Sequence, residues 1–269
     1  MNYRHAFHAG NFADLVKHAA LLRLLARLTT DRAPLEVIDT HAGRGLYDLA
    51  GAEARKSGEA ATAGILRLMR ERPPEVFSGL VDAVRRLNGQ GEVRRYPGSP
   101  WLIAEGLRPG DSYLGCELRP EEHEALRVAL RGRDYVRTVR GDGYETARAA
   151  PAKGRRLLLI DPPFERPDDY GRIVEVLGAR PEATALVWLP LKDLETFDAF
   201  LRELEDATDA PLLVAETRMR PLADPMKMNG CALVLAGPDL GMAEDLQAIC
   251  GWVAGTLGEG GLARVYAVG

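Results

Sequence analysis

Arg155-Arg156-Leu157-Leu158-Leu159-Ile160-Asp161-Pro162-Pro163-Phe164 is the stretch from which the fold can be read. Four large apolar residues follow one another without alternation, the pattern of a strand buried on both faces and covered by helices on each side. The run stops at an acid and two prolines, and neither proline could sit inside a central strand, because it has no N–H for the ladder. The two rings fix a short rigid loop at the carboxyl end of the strand, where open α/β sheets hold their ligands. A carboxylate, a carbonyl and an aromatic face presented together suit a planar base with an amino group. Asp161 and the Pro162 carbonyl can each accept one N–H of the exocyclic amine, and Phe164 can stack on the ring. An ordinary strand-stopping turn is written with the same residues, so the loop alone leaves both readings open.

The same rhythm extends in both directions. Upstream, Leu35 to Asp39 is a short β-type run followed by Thr40-His41-Ala42-Gly43-Arg44-Gly45, a loose relative of a glycine-rich nucleotide loop. Strands are expected at Ser112 to Glu117 and Tyr135 to Arg140, with a helix from Pro120 to Arg131 between them. Beyond the central stretch, strands are expected at Ala185 to Leu189, Leu212 to Thr217 and Ala232 to Ala236. Helices are expected at Tyr170 to Leu177, Leu191 to Leu204 and Ala243 to Leu257. In a doubly wound sheet the carboxyl ends of parallel strands share one edge, so Asp39, Glu117, Asp142 and Asp161 should converge on one crevice. An acid after the second strand can bind both hydroxyls of a ribose, and an acid after the third can accept from an adenine amine. Both contacts suit a nucleoside cofactor.

Asn11 can cap a helix with Asp14 at its third position, and Leu15, Ala19, Leu22, Leu25 and Leu28 then recur at helical spacing. His18 lies on the apolar face, where a histidine is by default a satisfied core residue. Four of the five histidines precede residue 42, but no paired cysteines or His-Glu-x-x-His accompany them, so no metal is expected. Between Tyr47 and Arg95 no strand pattern occurs. Ser57 to Arg70 and Glu75 to Leu87 carry helical periodicity, broken at Pro73-Pro74, and read as a helical insertion. In Tyr96-Pro97-Gly98-Ser99-Pro100, Ser99 can cap a helix running to Leu107. The resulting division is a Rossmann-like domain of residues 1–46 and 97–269 with a helical subdomain of residues 47–96.

Composition narrows the class further. Across 269 residues the chain is 46% hydrophobic and 28% charged, as in ordinary globular proteins, and no apolar run is long enough to span a bilayer, so no membrane partner is expected. Cys116, Cys231 and Cys250 are far apart and set among apolar residues, which fits reduced core thiols and a cytoplasmic location. The formal charge is -4, yet residues 1–97 hold 15 Lys/Arg against 11 Asp/Glu and the remainder 20 against 28. A polyanion should therefore meet the first third of the chain, where Arg55, Lys56, Arg67, Arg70, Arg72, Arg85, Arg86, Arg94 and Arg95 are available for phosphates.

The Asp-Pro-Pro-aromatic loop resembles motif IV of amino-directed adenine N6 methyltransferases. Over essentially its whole length the sequence resembles the bacterial 23S ribosomal RNA (adenine(2030)-N6) methyltransferase family, RlmJ type. The matching residues are the opening Tyr3-Arg4-His5-x-Phe7-His8-Ala9-Gly10-Asn11, Lys17-His18, Asp39 to Gly43, Tyr96 to Pro100, Asp142-Gly143 and the Asp161 loop. The resemblance implies a class I S-adenosylmethionine-dependent methyltransferase fold, α/β and Rossmann-like, with an inserted helical subdomain. It implies that His18, His41, Ser99, Glu117, Asp142 and Gly143 bind S-adenosylmethionine, that Asp161, Pro162 and Phe164 serve the target amine, and that Tyr3 and Arg4 meet the RNA. The expected partner is 23S ribosomal RNA, and the expected state a monomer. Phe164 departs from the family's usual tyrosine, which keeps stacking and loses a hydroxyl. The alternative within enzymes is a DNA adenine N6 methyltransferase. A dinucleotide oxidoreductase is disfavoured by the incomplete glycine pattern, and a cofactor-free RNA scaffold by the retained cofactor residues.

Overall fold

The structure, a computed structural model, describes residues 7–151, 154–222, 228–238 and 241–268. Helix α1 (Phe12–Leu28) opens it and leads into β1 (Leu35–Asp39). The segment that follows contains strand β2 (Leu46–Asp48), helices α2 (Ala52–Ser57), α3 (Glu59–Thr62), α4 (Ile65–Leu68) and α5 (Ser78–Asn88), and strand β3 (Arg95–Pro97). Helix and strand then alternate: α6 (Ser99–Gly106), β4 (Ser112–Cys116), α7 (Pro120–Ala129), β5 (Val136–Val139), α8 (Gly143–Ala149), β6 (Arg155–Ile160), α9 (Asp169–Ala179), β7 (Thr184–Leu191), α10 (Leu194–Ala207) and β8 (Leu212–Arg218). The last elements are β9 (Gly230–Ala236), α11 (Ala243–Trp252), a π-helical turn at Val253–Leu257, and β10 (Leu262–Val268).

Eight strands form one sheet in the order β10-β8-β9-β7-β6-β1-β4-β5. β1 pairs in parallel with β4 on one side and β6 on the other, and β9 runs antiparallel between β7 and β8. From β1 the chain builds outward through β4 and β5, then returns to lay β6 on the opposite side of β1. The strand order reverses between β1 and β6, which opens a crevice above their carboxyl ends. The apolar run of β6 explains its central place: Leu157 and Leu159 enter the core on one face, Leu158 and Ile160 the core on the other.

Several expected boundaries shift for local reasons. The helix expected over Ser57 to Arg70 is broken into pieces at Gly58, whose φ of +67° is left-handed, and at Gly64, whose backbone pairs with Asn11. A Cβ on Gly64 would lie 2.1 Å from the Gly10 carbonyl oxygen, so the first segment of the chain and the inserted helices are fitted backbone to backbone. β2 and β3 form an antiparallel ribbon at the base of that segment, with Tyr47 opposite Tyr96, where sequence periodicity showed no strand and a turn. Three-residue strands are too short to carry a period. β7 extends through Pro190 to Leu191 because β6 has already ended: β6 pairs with β7 only as far as Val187, and the remainder of β7 pairs with β9. The edge strand β10 and helix α8 were also unforeseen.

The inserted helices have no core of their own. Ile65, Leu68, Phe77, Leu80 and Val84 are fully buried in the same cluster as Leu15, Leu21 and Leu24 of α1. Phe77 packs 5.1 Å from Trp252, and Arg67 donates to the Thr256 carbonyl at 2.6 Å.

Candidate active site

At the topological switch point lies a cavity of about 440 Å³, lined by residues of α1, the loop after β1, the ends of β4 and β5, the loop after β6 and the end of β7. His18, His41, Ser99, Glu117, Asp142, Asp161, Pro162 and Phe164 all line it, and Gly143 lies between the lining residues Asp142 and Tyr144. Tyr3 and Arg4 lie outside the described residues. Among the described residues no group of three or more His, Cys, Asp or Glu could hold a metal ion, and no helix is long and apolar enough to cross a membrane.

The floor is built by α1, which is buried without interruption from Ala13 to Leu21. Asn11 caps it, its side chain accepting from the Ala13 and Asp14 N–H groups, while the Asp14 carboxylate accepts from Gly10 N–H at 2.8 Å. Polar side chains on so buried a helix need partners. Lys17 has two: its ammonium is 3.1 Å from Asp14 and donates a short hydrogen bond to Asp161. Burial works against that charge, but the carboxylates of Asp161 and Asp14 outweigh it and hold the lysine above its usual range. His18 Nδ1 meets the Tyr96 hydroxyl at 2.8 Å, which ties the floor to β3. In the sequence, Lys17 stands out only through the Lys17-His18 pair that carries part of the family resemblance. The available signal was a charged pair three residues apart, Asp14 and Lys17, on a stripe otherwise apolar.

The cofactor side is set by close backbone contacts. A Cβ on Gly143 would lie 1.9 Å from the Thr40 carbonyl oxygen, so only glycine lets the start of α8 approach the loop after β1. Gly43 has φ +64°, and its N–H donates to Glu117 Oε2 at 3.0 Å; the N–H of Arg119 donates to Glu117 Oε1 at 2.8 Å. Burial raises the Glu117 carboxyl, and these two N–H groups oppose the shift. Asp142 caps α8 by accepting from Glu145 N–H at 3.2 Å, and Arg172 lies 2.9 Å from its other oxygen. Burial works against ionisation of Asp142, but Arg172 and the helix N–H groups hold its pKa below the ordinary range. His41 is half-buried and meets Tyr144 edge-on at 4.7 Å; loss of hydration, opposed by Asp161 and Asp142, lowers its pKa to about 4 and keeps the imidazole neutral.

Ser99 departs from its expected role as a helix cap. Gly98 occupies that position, and the Ser99 hydroxyl instead donates to Asp39 Oδ2 at 2.9 Å, beside the Tyr113 hydroxyl at 3.2 Å. Asp39 Oδ1 has no hydrogen-bond partner among the described residues. Burial pushes this carboxyl up to about 7, against the pull of Ser99, Lys17 and Tyr113. Because the folded value lies above the unfolded one, stability is fully present below pH about 4 and is lost as pH rises through about 7. Asp39→Asn is therefore expected to stabilise the protein at pH about 8 by on the order of 4 kcal/mol, a gain that shrinks toward pH about 5. Urea unfolding at the two pH values checks this; a gain independent of pH would show that Asp39 is ionised throughout.

On the other side of Asp161, Phe164 has φ +50°, among the described residues the only non-glycine in the left-handed region. Its ring rests against Tyr170 at 4.8 Å and Trp188 at 6.0 Å, part-buried at the cavity wall. The two prolines and this aromatic cluster hold the loop in a conformation that phenylalanine alone would not adopt.

The donor set fits a nucleoside cofactor: the half-buried Glu117 beyond β4, the ionised Asp142 beyond β5, a glycine-cleared approach beside them, and beneath them the buried Asp39, one of whose oxygens has no donor among the described residues. The doubly wound sheet, with the reversed strands β9 and β10 confined to one end, together with this cavity, defines a class I S-adenosylmethionine-dependent methyltransferase. The family model RsmJ, described as ribosomal RNA large subunit methyltransferase D, RlmJ, matches residues 32–268, and the chain belongs to that family. It is 30% identical over 260 residues to ribosomal RNA large subunit methyltransferase J of Escherichia coli, covering 94% of this chain and 92% of that one. The protein of the same name from Haemophilus influenzae is 33% identical over 265 residues, covering 96% and 94%. A crystal structure of a Legionella pneumophila protein superposes with a TM-score of 0.85 at 28% identity, covering 97% of this chain and 98% of that one.

Proposed function

We propose that the protein methylates the N6 amine of a specific adenine in 23S ribosomal RNA. The observation that carries this reading is the Asp161 carboxylate, anchored by Lys17 and followed by a rigid Pro-Pro-Phe turn, at the mouth of a nucleoside-binding crevice in a chain of the RlmJ family. Glu117 would hold the cofactor's ribose and Asp142 its adenine amine, with His18, His41, Ser99 and Gly143 around them. The bound cofactor supplies an electrophilic methyl group. Asp161 and the Pro162 carbonyl accept the two N–H groups of the target amine, orienting the nitrogen and excluding water from it. Phe164 stacks on the base, and Asp161 takes the proton released after alkylation. The target adenine has to be unstacked to reach the loop. Tyr3 and Arg4 belong to the RNA contact by resemblance. The protein acts in the cytoplasm as a monomer, without a metal, and residues 47–96 form the inserted subdomain.

The decisive experiment is methyl transfer from labelled S-adenosylmethionine to transcribed 23S ribosomal RNA and to duplex DNA, with the product adenine mapped by mass spectrometry. N6-methyladenine at one RNA position is expected; preferential methylation of the DNA would overturn the RNA assignment. Calorimetry tests the cofactor site independently. Glu117→Ala removes an acceptor that two ribose hydroxyls share and should weaken S-adenosylhomocysteine binding by roughly 1.5–3 kcal/mol. Unchanged affinity would displace Glu117 from the site.

Of the basic residues in the insertion, Arg67 is tied into the fold, whereas Arg85 is 65% exposed and only loosely paired with Asp82 at 3.9 Å. Arg85→Glu with Arg86→Glu is expected to weaken RNA binding and to reduce the slope of log affinity against log salt by about 1–2. A slope equal to the wild type's would place both arginines outside the RNA footprint.

A further inference from the structure

Arg172 sits in the first turn of α9, a poor place for a cation on helix-dipole grounds alone. Its side chain is only 14% exposed, and the guanidinium reaches the start of α8. Nη1 lies 2.9 Å from Asp142 Oδ2, Nη2 donates to Glu145 Oε1 at 3.3 Å, and the group lies 4.4 Å from the centre of the Tyr144 ring. Tyr144 in turn donates to Asp169 Oδ1 at 3.1 Å, so the same turn of α9 grips α8 at two points. Both Arg172 and Asp142 line the cavity.

We infer that Arg172 is a positioning residue that sets the base specificity of the cofactor site by fixing Asp142 as an ionised, oriented acceptor; this rests on the assignment of Asp142 to the cofactor adenine. With one oxygen capping α8 and the other held by Arg172, the carboxylate has neither a free rotation nor a proton to give. An ionised carboxylate only accepts, so it matches the 6-amino group of adenine and opposes the 6-oxo group of hypoxanthine, which also accepts. Without the guanidinium, Asp142 can rotate or take up a proton, and a protonated acid donates to a 6-oxo group as readily as an ionised one accepts from an amine. Arg172 therefore acts on what the site refuses as much as on what it binds.

Calorimetry with S-adenosylhomocysteine and S-inosylhomocysteine tests this without turnover. The wild type should prefer the adenosyl compound by roughly 30-fold, the scale of one charged hydrogen bond. In Arg172→Met the preference should fall to roughly threefold or less, mainly through weaker binding of the adenosyl compound, and Arg172→Lys should restore part of it. At saturating cofactor, kcat should stay within about twofold of wild type while KM for S-adenosylmethionine rises, a split that general loosening of the fold would not produce. If Arg172→Met does not fold, Arg172→Gln, which keeps a donor and removes the charge, carries the same comparison. A variant that keeps the wild-type preference overturns the inference. A wild type that binds both compounds equally removes Asp142 as the reader of the amine and the inference with it. A wild type that binds neither overturns the cofactor site itself, a distinguishable result.

Discussion

Replacing Asp161 with alanine is expected to reduce methyl transfer by at least about 100-fold while leaving S-adenosylhomocysteine affinity within about threefold of wild type. Its partner in the reaction is the incoming amine, and losing one positioned acceptor should raise the barrier by on the order of 3 kcal/mol, the scale known for an oxyanion-hole donor. Asp161→Asn keeps a carbonyl acceptor and loses the charge and the proton acceptor, so it should fall between the two. Single-turnover rates on 23S ribosomal RNA, set beside calorimetric cofactor affinities, separate the effects. Wild-type turnover in Asp161→Ala would make the loop a strand stop and nothing more. Phe164→Tyr should be tolerated within about threefold, since the ring keeps its stacking face, whereas Phe164→Ala loses both that face and the contact with Tyr170 and Trp188 that holds the turn.

Lys17→Met is expected to be as damaging, for a different reason. The side chain is 6% exposed and its ammonium lies between Asp14 and Asp161, themselves 2% and 18% exposed. Removing the cation leaves two carboxylates facing each other with their shared partner gone, which should cost about 3–5 kcal/mol of stability. Turnover should fall by at least about tenfold, because an Asp161 that has swung away from its lost partner no longer orients the amine. Urea unfolding and single-turnover rates check the two halves. A variant with wild-type stability and wild-type turnover would show that Asp161 is oriented by other groups. Lys17→Arg keeps the charge and should retain more of the turnover, although its bulk in a buried site lowers stability.

The central strand and its terminal loop were legible because their signals are local. A four-residue apolar run can only be a doubly covered strand or a buried helix, and Asp161-Pro162-Pro163 ends it within three residues. Glu117 and Asp142, beyond β4 and β5, followed from the same rhythm and line one crevice, whereas Asp39, expected beside them, is fully buried beneath it and held by Ser99 and Tyr113. Ser99 shows where local reasoning stops. Ser-Pro before an apolar run has the form of a helix cap, but the cap position falls on Gly98, and the Ser99 hydroxyl donates to Asp39, a buried acceptor 60 residues away. Glu59 is a residue that no local pattern singles out: it accepts from Asn11 at 2.9 Å and pairs with His8 at 3.0 Å, fastening the segment before α1 to α3.

What the sequence by itself determined is therefore the set of elements whose information is carried by neighbours in the chain. These are the capped α1, the apolar parallel strands, the proline-stopped loop, and the set of short motifs that carries the family resemblance. What only the tertiary structure decided is which groups meet across long separations: Lys17 with Asp161, Tyr96 with His18, Arg172 with Asp142, and Gly143 with the backbone of Thr40. The physical reason is that the first kind of information follows the period of a helix or strand, whereas the second arises when a sheet reverses its order. Reversal between β1 and β6 places residues 144 positions apart within hydrogen-bonding reach. No periodicity in the chain encodes that distance, and the chemistry of the site depends on it.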